Sequence, residues 1–424
     1  MTIEELHQVF LNYPEVCIDT RKISTNCLFF ALKGPSFNGN AFAQEALDNG
    51  AEYAIIDEVQ YKISDQYILV DDVLHVLQQL ATYHRLHCKA RIIALTGSNG
   101  KTTTKELISE VLSQKYKTIA TKGNLNNHIG VPLTLLTIMK DTEIAIVEMG
   151  ANHQKEISFL CNLAQPDFGY ITNFGKAHLE GFGGIEGVIK GKSELYDYLV
   201  ANSKYVFLNA DDPIQSEKLQ YYINKIGFSE DQTDYFQIKL QGADPFVHIQ
   251  VEDVGIKTQL IGTYNFSNCA AAILMGNYFN VELPDIKKAL EHFVPQNNRS
   301  QILEKNGYTI VLDAYNANPT SMRAALEAFK DMPGQHKTVV LADMFELGES
   351  ARVEHQNIAE LVESMPFDTC FLVGENFHKT HTQCARFKTF ETLAQQLQNS
   401  PLEKGTVLIK GSRGMALERV LDLL

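Results

Sequence analysis

The amino-acid sequence predicts an α/β protein of three domains: a small α/β N-terminal domain, a central domain built on a parallel sheet, and a C-terminal Rossmann-like domain. Short, almost continuous apolar runs such as Ile144–Met149 alternate with helical patterns, as is typical of parallel strands covered on both faces. A second series of such runs begins after Pro295. The 424 residues also exceed the roughly 100–200 of one domain. We therefore predict domains over residues 1–88, 89–294 and 295–424.

The predicted N-terminal domain contains two short apolar runs, Cys27–Leu32 and Tyr53–Ile56. A turn rich in Gly and Asn, residues 33–40, lies between them and is followed by apolar residues at helical spacing. A longer helical pattern over Val73–Leu86 predicts the helix that connects this domain to the next.

The strands of the central sheet are predicted where the chain is almost entirely apolar. These runs are Ile92–Leu95, Ile144–Met149, Phe168–Thr172 and Tyr205–Leu208. Helical stretches between them indicate crossover connections and one large parallel sheet. Between residues 235 and 261 the pattern changes to shorter alternating runs such as Val247–Val251, which favours an antiparallel extension.

The C-terminal domain repeats the alternation of strand and helix. The strand-like runs are Tyr308–Leu312, Thr338–Leu341, Thr369–Val373 and Thr406–Ile409, and the helical patterns include Ser321–Lys330 and Ala351–Glu363. This order predicts a separate Rossmann-like sheet.

Composition and charge exclude several classes of protein. Lys plus Arg is 37 and Asp plus Glu is 51, and the resulting net charge of −14 argues against a nucleic-acid-binding protein. The apolar runs are far shorter than the roughly 20 residues that span a bilayer, so we predict no membrane insertion. The first residues do not resemble a signal peptide. The seven cysteines form no C-x-x-C pair, which is typical of reduced thiols in a cytoplasmic protein.

The strongest chemical signal is a predicted strand that runs into a glycine-rich loop and then a helix. In such a loop, backbone N–H groups and the helix N-terminus bind phosphates, a lysine reaches the terminal phosphates and a hydroxyl binds Mg²⁺. Lys101 and Thr102 supply the ammonium and the hydroxyl here. The predicted phosphate site consists of Gly97, Ser98, Asn99, Gly100, Lys101, Thr102 and Thr103. Leu95 stands where the common pattern has its first glycine, so the alternative is a glycine turn with a lysine beside it.

Two further polar residues follow predicted strands of the same sheet. Glu148 ends the apolar run from Ile144, and a carboxylate at this edge of a parallel sheet suits Mg²⁺. His178 lies just past the run that ends at Thr172, and we expect it at the same edge. The alternatives are a strand-end acid and a loop histidine that both face water.

Several motifs along the chain resemble those of the ATP-dependent Mur ligases and their folylpolyglutamate synthetase relatives. They are T-G-S-N-G-K-T-T from Thr96, G-N-L-N-N-H-I-G-V-P-L-T from Gly123, E-M-G-A-N-H from Glu148, N-F-G-K-A-H-L-E-G-F from Asn173, D-A-Y-N-A-N-P from Asp313, D-M-F-E-L-G from Asp343 and K-G-S-R from Lys410. The set is most similar to the branch of the family that joins D-alanyl-D-alanine to UDP-N-acetylmuramoyl-tripeptide. The resemblance implies an ATP- and Mg²⁺-dependent amide ligase of peptidoglycan precursor synthesis, acting as a monomer in the cytoplasm.

The resemblance also implies roles for individual residues around ATP. Asn268 is expected near adenine. The guanidinium of Arg299 matches phosphate oxygens, and Asp313 ends a predicted strand where an acid suits a ribose hydroxyl. The implied magnesium set is Thr102, Glu148, His178 and Lys192, the last as an N-carboxylated lysine, and the implied catalytic set is Lys101, His178, Lys192 and Arg299. For Lys192 the alternative is an unmodified lysine, and Lys190 competes for the motif position.

The substrate-binding residues implied by the resemblance fall into three groups. Thr20, Arg21 and Lys33 match the family's motif for the uridine diphosphate, although Asn38 and Asn40 replace the usual Asp and His. Asn126 and Asn127 are expected near the sugar and the reacting carboxylate, the alternative being a simple turn. The loops of Asn316, Asn318, Asp343 and Glu346 are expected on the dipeptide side. Arg413 is expected at a helix start that suits an anion, either the dipeptide carboxylate or the substrate.

Three other functions compete with this one. A ligase adding a single amino acid usually carries Asp-Asn-Pro-Arg in its C-terminal domain, and this tetrapeptide is absent from the sequence. A folylpolyglutamate-type ligase and a non-catalytic nucleotide-binding protein share the scaffold. Retention of Lys101, Thr102, Glu148 and His178 argues against the non-catalytic protein. The third residue of the accepted peptide, diaminopimelate or lysine, is not readable from the sequence.

Overall fold

A computed structural model describes residues 1–295 and 298–424 of the chain. The N-terminal part contains two small sheets, built from the strands β1 (Val16–Cys17), β2 (Leu28–Phe30), β3 (Lys33–Gly34), β4 (Phe37–Asn38), β5 (Tyr53–Ile56) and β6 (Tyr67–Leu69). Its helices are α1 (Ile3–Asn12), α2 (Ala43–Asp48) and α3 (Val73–His87). The four strands β1-β2-β5-β6 pair in parallel in that order, and β3 and β4 form an antiparallel hairpin. The predicted connecting helix is confirmed as α3.

A seven-stranded parallel sheet forms the centre of the molecule, in the order β13-β12-β11-β10-β7-β9-β8. Its strands are β7 (Arg91–Thr96), β8 (Thr118–Ala120), β9 (Ile144–Glu148), β10 (Phe168–Ile171), β11 (Tyr205–Asn209), β12 (Lys225–Ser229) and β13 (Phe236–Gln237). Its helices are α4 (Lys101–Leu112), α5 (Gly130–Leu135), α6 (Glu156–Ala164), α7 (Leu179–Phe182), α8 (Ile185–Ala201) and α9 (Pro213–Lys218). Residues 92–95 of β7 are fully buried because helices cover both faces of the sheet.

A separate antiparallel sheet follows, with the strands β14 (Lys239–Ala243), β15 (Phe246–Val251) and β16 (Val254–Ile261) in that order. The helices α10 (Tyr264–Tyr278) and α11 (Leu283–His292) come next. The antiparallel pattern expected for residues 235–261 is therefore present, but only β13 pairs with the large sheet. The alternation of buried and partly exposed residues in β15 reflects a sheet with one covered face.

The C-terminal part forms a six-stranded sheet in the order β17-β18-β22-β19-β20-β21. Its strands are β17 (Gln301–Lys305), β18 (Tyr308–Asp313), β19 (Thr338–Ala342), β20 (Thr369–Val373), β21 (Ala385–Phe387) and β22 (Thr406–Lys410). Its helices are α12 (Pro319–Asp331), α13 (Ala351–Glu363), α14 (Glu375–His378) and α15 (Phe390–Asn399). The edge strand β17 is antiparallel to β18, and the other pairs are parallel, which confirms the Rossmann-like prediction.

Within the described residues, no helix combines the length and the apolar character needed to cross a bilayer.

Candidate active site

The loop between β7 and α4 has the geometry of a phosphate loop. Gly97 and Gly100 adopt positive φ angles of 144° and 77°, which disfavour residues with a Cβ. A Cβ at Gly97 would lie 1.9 Å from Thr172 Oγ1, and one at Gly100 would lie 2.6 Å from Asn268 Oδ1. Both glycines are therefore required by backbone conformation and by close packing.

Lys101 is the first residue of α4, and its ammonium turns back over the loop. Its Nζ donates to the carbonyl oxygens of Gly97 at 2.8 Å and Ser98 at 3.3 Å. Burial lowers the pKa of Lys101, while the nearby Glu148 carboxylate opposes that shift. The ammonium is thus held at the loop that a nucleotide phosphate would occupy.

Glu148 ends β9, where it pairs in register with Leu95 of β7. The side chain is 1% exposed, and its Oε1 accepts a hydrogen bond of 2.7 Å from Asn126 Nδ2. Its Oε2 is buried and finds no hydrogen-bond partner among the described residues. A buried carboxylate oxygen without a partner is costly, and a hard cation would satisfy it.

His178 precedes α7 and adopts a left-handed backbone conformation, with φ of 52°. Its Nδ1 lies 2.5 Å from Oε2 of Glu346, in the loop after β19. Lys192, on α8, is almost fully buried and donates to the carbonyl oxygen of Ala151 at 3.0 Å. Burial and the charge of Lys101 hold the pKa of Lys192 well below its ordinary value.

Residues after Pro295 complete the cleft. The guanidinium of Arg299 stacks on the ring of Tyr315 at 3.7 Å, and its buried Nε lacks a partner in the described part of the chain. Asp313 ends β18, and its Oδ2 lies 2.5 Å from Lys410 Nζ. Asn268 accepts a hydrogen bond of 2.9 Å from Thr104 Oγ1, close beside Gly100.

These groups surround one cleft of about 1010 Å³ that all three parts of the molecule line. Leu74 and Gln78 of α3 reach it from the N-terminal part. The predicted site residues along the cleft are Ser98, Asn99, Gly100, Lys101, Thr102, Thr103, Asn126, Asn127, Glu148, His178, Asn268, Arg299, Asp313, Asn316 and Asn318. A cleft with a phosphate loop, a buried carboxylate that a cation would satisfy, and lining residues from all three parts suits phosphoryl transfer between several substrates.

Three family models match the chain over most of its length. They describe a Mur ligase family catalytic domain over residues 12–85, a Mur ligase middle domain over 95–276 and a Mur ligase glutamate ligase domain over 298–413. The UDP-N-acetylmuramoyl-tripeptide–D-alanyl-D-alanine ligase of Bacillus subtilis (strain 168) is 33% identical, with 96% of this chain and 92% of that protein aligned. The chain belongs to the Mur ligase family.

Solved structures of Mur ligases also resemble the whole molecule. A MurF crystal structure from Acinetobacter baumannii superposes with a TM-score of 0.84 at 30% identity, covering 100% of this chain and 98% of that one. MurF from Thermotoga maritima in complex with ADP gives a TM-score of 0.84 at 28% identity, covering 97% of each chain. The predicted α/β class and family resemblance are confirmed.

Several residues that the Mur ligase motifs singled out lie away from the cleft formed by the described residues. Thr20, Arg21 and Lys33 lie in the N-terminal part. Arg21 forms a two-pronged pair with Asp19, and Lys33 Nζ lies 2.9 Å from Asp57 and 3.1 Å from Glu58. Their predicted contacts with the uridine diphosphate therefore concern a separate, partly acidic surface.

Asp343 was expected to face the cleft, but it does not line it. The residue is 2% exposed, and its carboxylate accepts hydrogen bonds from the backbone N–H groups of Asn376 at 2.8 Å and Phe377 at 2.9 Å. It caps the start of α14 instead.

Arg413 also differs from its prediction. It begins a 3₁₀ turn of three residues, Arg413–Met415, and not an α-helix, and it pairs with Glu418 at 2.8 Å. A turn this short offers no helix N-terminus for an anion.

Four residues of the Mur ligase cleft meet partners that the sequence did not predict, although the loop of Glu346 was expected on the dipeptide side. Tyr315 supports Arg299, Lys410 pairs with Asp313, Glu346 contacts His178, and Asn173 Oδ1 accepts from the backbone N–H of Asn99 at 3.0 Å. Each lies within a quoted motif, but only the folded chain shows which partner it meets. Gly97 and Lys192 do not line the cleft themselves, although Lys192 donates to the carbonyl oxygen of Ala151, which does.

The residues fit a magnesium ion that keeps water and phosphate oxygens among its ligands. No three His, Cys, Asp or Glu side chains form a complete metal cage in the described part of the chain. Mg²⁺ seldom requires such a cage, since it is usually held by one or two carboxylates together with substrate phosphates. The unpartnered Oε2 of Glu148 and the buried hydroxyl of Thr102 agree with that mode of binding.

Proposed function

We propose that this protein is the ATP-dependent ligase that joins D-alanyl-D-alanine to UDP-N-acetylmuramoyl-tripeptide, a cytoplasmic step of peptidoglycan precursor synthesis. The observation that carries the proposal is the shared cleft, in which Lys101 and Glu148 of the phosphate loop region face Arg299 and Asn318 of the C-terminal part. Relatives about one-third identical over almost the whole chain carry this activity in their names.

The proposed reaction has two chemical steps. The terminal carboxylate of the tripeptide attacks the γ-phosphorus of ATP, which gives an acyl phosphate and releases ADP. The amine of D-alanyl-D-alanine then attacks the acyl carbon, an amide bond forms, and phosphate leaves with the electrons of the broken C–O bond. The amine gives up a proton in this second step, and the departing phosphate takes it up.

The residues of the cleft would serve these steps mainly through position and charge. Lys101 and Arg299 stabilise negative charge on the transferring phosphoryl group, which is the main catalytic demand of such a transfer. Thr102, Glu148 and His178 would hold Mg²⁺, and Lys192 would join them if carboxylated. When bound, Mg²⁺ supplies charge neutralisation and alignment of the phosphate oxygens.

The three parts of the chain divide the substrates in this proposal. Residues 1–88 bind the UDP-sugar through Thr20, Arg21 and Lys33, with Asn126 and Asn127 near the reacting carboxylate. Residues 89–294 bind ATP, with Asn268 near adenine, and residues 295–424 contribute Asp313 at the ribose. Residues 295–424 bind D-alanyl-D-alanine through Asn316 and Asn318. Bringing the reacting groups together and excluding water accounts for much of the rate gain. We propose that the protein acts as a monomer.

An activity panel tests the proposal. Phosphate release is measured with UDP-N-acetylmuramoyl-tripeptides ending in diaminopimelate or lysine, each combined with D-alanyl-D-alanine, D-alanine, glutamate or no acceptor. We expect release that requires ATP, one of the tripeptides and the dipeptide together. Release that does not need the dipeptide would favour a ligase adding a single amino acid. Nucleotide binding without turnover on any acceptor would favour a non-catalytic protein.

A further inference from the structure

The phosphate loop touches the C-terminal part of the chain through one side-chain hydrogen bond in the described residues. Asn318 Nδ2 donates to Asn99 Oδ1 at 2.7 Å, although the two residues are 219 positions apart in the sequence. Asn99 is fixed on the central sheet, because its carbonyl oxygen accepts from Thr172 Oγ1 at 2.6 Å and from Asn173 Nδ2 at 3.1 Å. The loop backbone is therefore held in place, and among the described residues the Asn99 amide makes its only side-chain hydrogen bond across the interface.

Asn318 is equally well fixed on the other side. Its Oδ1 accepts from the backbone N–H of Ser321 at 2.9 Å, which caps the N-terminus of α12. A displacement of the C-terminal part relative to the phosphate loop would therefore break or stretch the Asn99–Asn318 hydrogen bond, because the Asn99 backbone is held on the central sheet and Asn318 Oδ1 is held by the cap of α12.

The second half of the Asn99 amide has no partner in the described part of the chain. Its Nδ2 is buried and makes no hydrogen bond to the described residues. Asn99 Nδ2 lies close to Gly175, since a Cβ added at Gly175 would be 2.9 Å from this nitrogen. An unsatisfied buried donor is unfavourable, and the cleft that Asn99 lines is the place where an anionic ligand would supply an acceptor.

We infer that Asn99 is a positioning residue that couples nucleotide binding to the placement of the C-terminal part. A phosphate oxygen accepts from Nδ2, and this polarises the amide so that Oδ1 becomes a better acceptor for Asn318. The nucleotide thereby stabilises the arrangement in which the dipeptide-side loop lies over the phosphate loop. By linkage, that arrangement strengthens nucleotide binding by the same factor. The inference rests on the proposed use of ATP, but not on the identity of the amine acceptor.

The test is a double-mutant cycle on the full chain with a non-hydrolysable ATP analogue and Mg²⁺, measured by isothermal titration calorimetry. Asn318→Ser keeps a good helix N-cap but is too short to reach Asn99. Asn99→Ser removes both contacts of the amide. We expect Asn318→Ser to weaken binding about three- to tenfold, as for one neutral hydrogen bond, and the double variant to bind no more weakly than Asn99→Ser alone. Unchanged affinity in Asn318→Ser, or effects that multiply in the double variant, would overturn the inference.

Small-angle X-ray scattering supplies a readout that a merely structural role would not change. We expect the analogue to reduce the radius of gyration of the unmodified protein, and this reduction to be lost in Asn318→Ser at saturating analogue. Lys176→Met is the matched control, because it removes the ion pair between Lys176 and Glu354 (2.6 Å) at the same interface without touching the phosphate loop. It should keep the nucleotide-dependent change. If the analogue reduced the radius of gyration equally in Asn318→Ser and in the unmodified protein, the coupling would be refuted. It would also be refuted if the analogue left the radius of gyration of the unmodified protein unchanged.

These measurements need no amine acceptor, so they separate the inference from the proposed reaction. A failed activity panel together with a coupled binding cycle would leave the inference standing and remove the ligase assignment. Full ligase activity, together with effects of the two substitutions that multiply in the double variant, would support the ligase assignment and remove the inference.

Discussion

Oε2 of Glu346, in the C-terminal part, lies 2.5 Å from Nδ1 of His178, in the central part. The contact holds the pKa of Glu346 below its ordinary value. A second contact runs between the same segments, since the backbone N–H of Glu180 donates to the carbonyl oxygen of Glu346 at 3.2 Å. The loop after β19 therefore orients the histidine that is expected to serve the magnesium ion.

Replacing Glu346 with Gln should lower kcat about tenfold, because the imidazole loses the charged group that fixes its orientation. The measurement is phosphate release at saturating substrates. Glu349→Gln is the control, since Glu349 is a neighbouring exposed acid and should tolerate the change. Equal activity in both variants would show that the Glu346 contact does not matter to the reaction.

Replacing Lys101 with Ala should lower kcat by about 10²–10³, because the variant loses a fixed positive charge at the transferring phosphoryl group. Steady-state phosphate release is the assay. The exposed Lys122, replaced in the same way, serves as control. A loss of less than tenfold in Lys101→Ala would remove this residue from the proposed catalytic set.

The state of Lys192 can be decided by chemical rescue. If the lysine is N-carboxylated and binds magnesium, Lys192→Ala should lose most activity, and short carboxylic acids should partly restore it. Lys190→Ala, on the exposed side of α8, is the control. Loss without rescue would favour an unmodified amine, and near-normal activity would exclude an essential role.

Gly175 separates Asn99 from Thr320 across the interface between the central and C-terminal parts. A Cβ there would lie 2.9 Å from Asn99 Nδ2 and 3.1 Å from Thr320 Oγ1. Gly175→Ala should therefore push the two sides apart and lower kcat about tenfold, while the melting temperature changes little. In Gly242→Ala, where no atom lies within 4 Å of the added Cβ, activity should be unchanged. Full activity in Gly175→Ala would contradict tight closure at this point.

The buried His7 predicts how stability depends on pH. Its Nε2 lies 3.0 Å from His84 Nδ1, and burial lowers its pKa from 6.5 to about 4. Between pH 6.5 and pH 4, His7 binds a proton in the unfolded chain but not in the folded one. The free energy of unfolding should therefore fall as the pH drops from 6.5 to 4. Urea unfolding at several pH values measures the slope.

His7→Phe cannot take up this proton, so its stability should depend less steeply on pH over that range. His75→Gln, on the exposed side of α3, should keep the original slope. Identical slopes for His7→Phe and the unmodified protein would show that another group dominates the acid response.

Local pattern was enough to predict most of the secondary structure. The helix expected over Ala351–Glu363 has those bounds, and the run from Ile144 forms β9, because apolar periodicity records burial directly. The phosphate loop was also predictable, since its glycines are required by backbone conformation at Gly97 and Gly100. The roles assigned around it came from resemblance to a family, and the individual assignments stay predictions.

The sequence alone determined the α/β class, the order of strands and helices, the phosphate loop and the family. Only the tertiary structure decided which polar groups meet: Arg299 with Tyr315, Lys410 with Asp313, and Asn318 with Asn99. It also placed Asp343 beneath α14, away from the cleft, because two backbone N–H groups at the start of that helix take up its carboxylate. Secondary structure follows from contacts a few residues apart, whereas these pairings depend on how whole sheets are placed against each other, which no local pattern records.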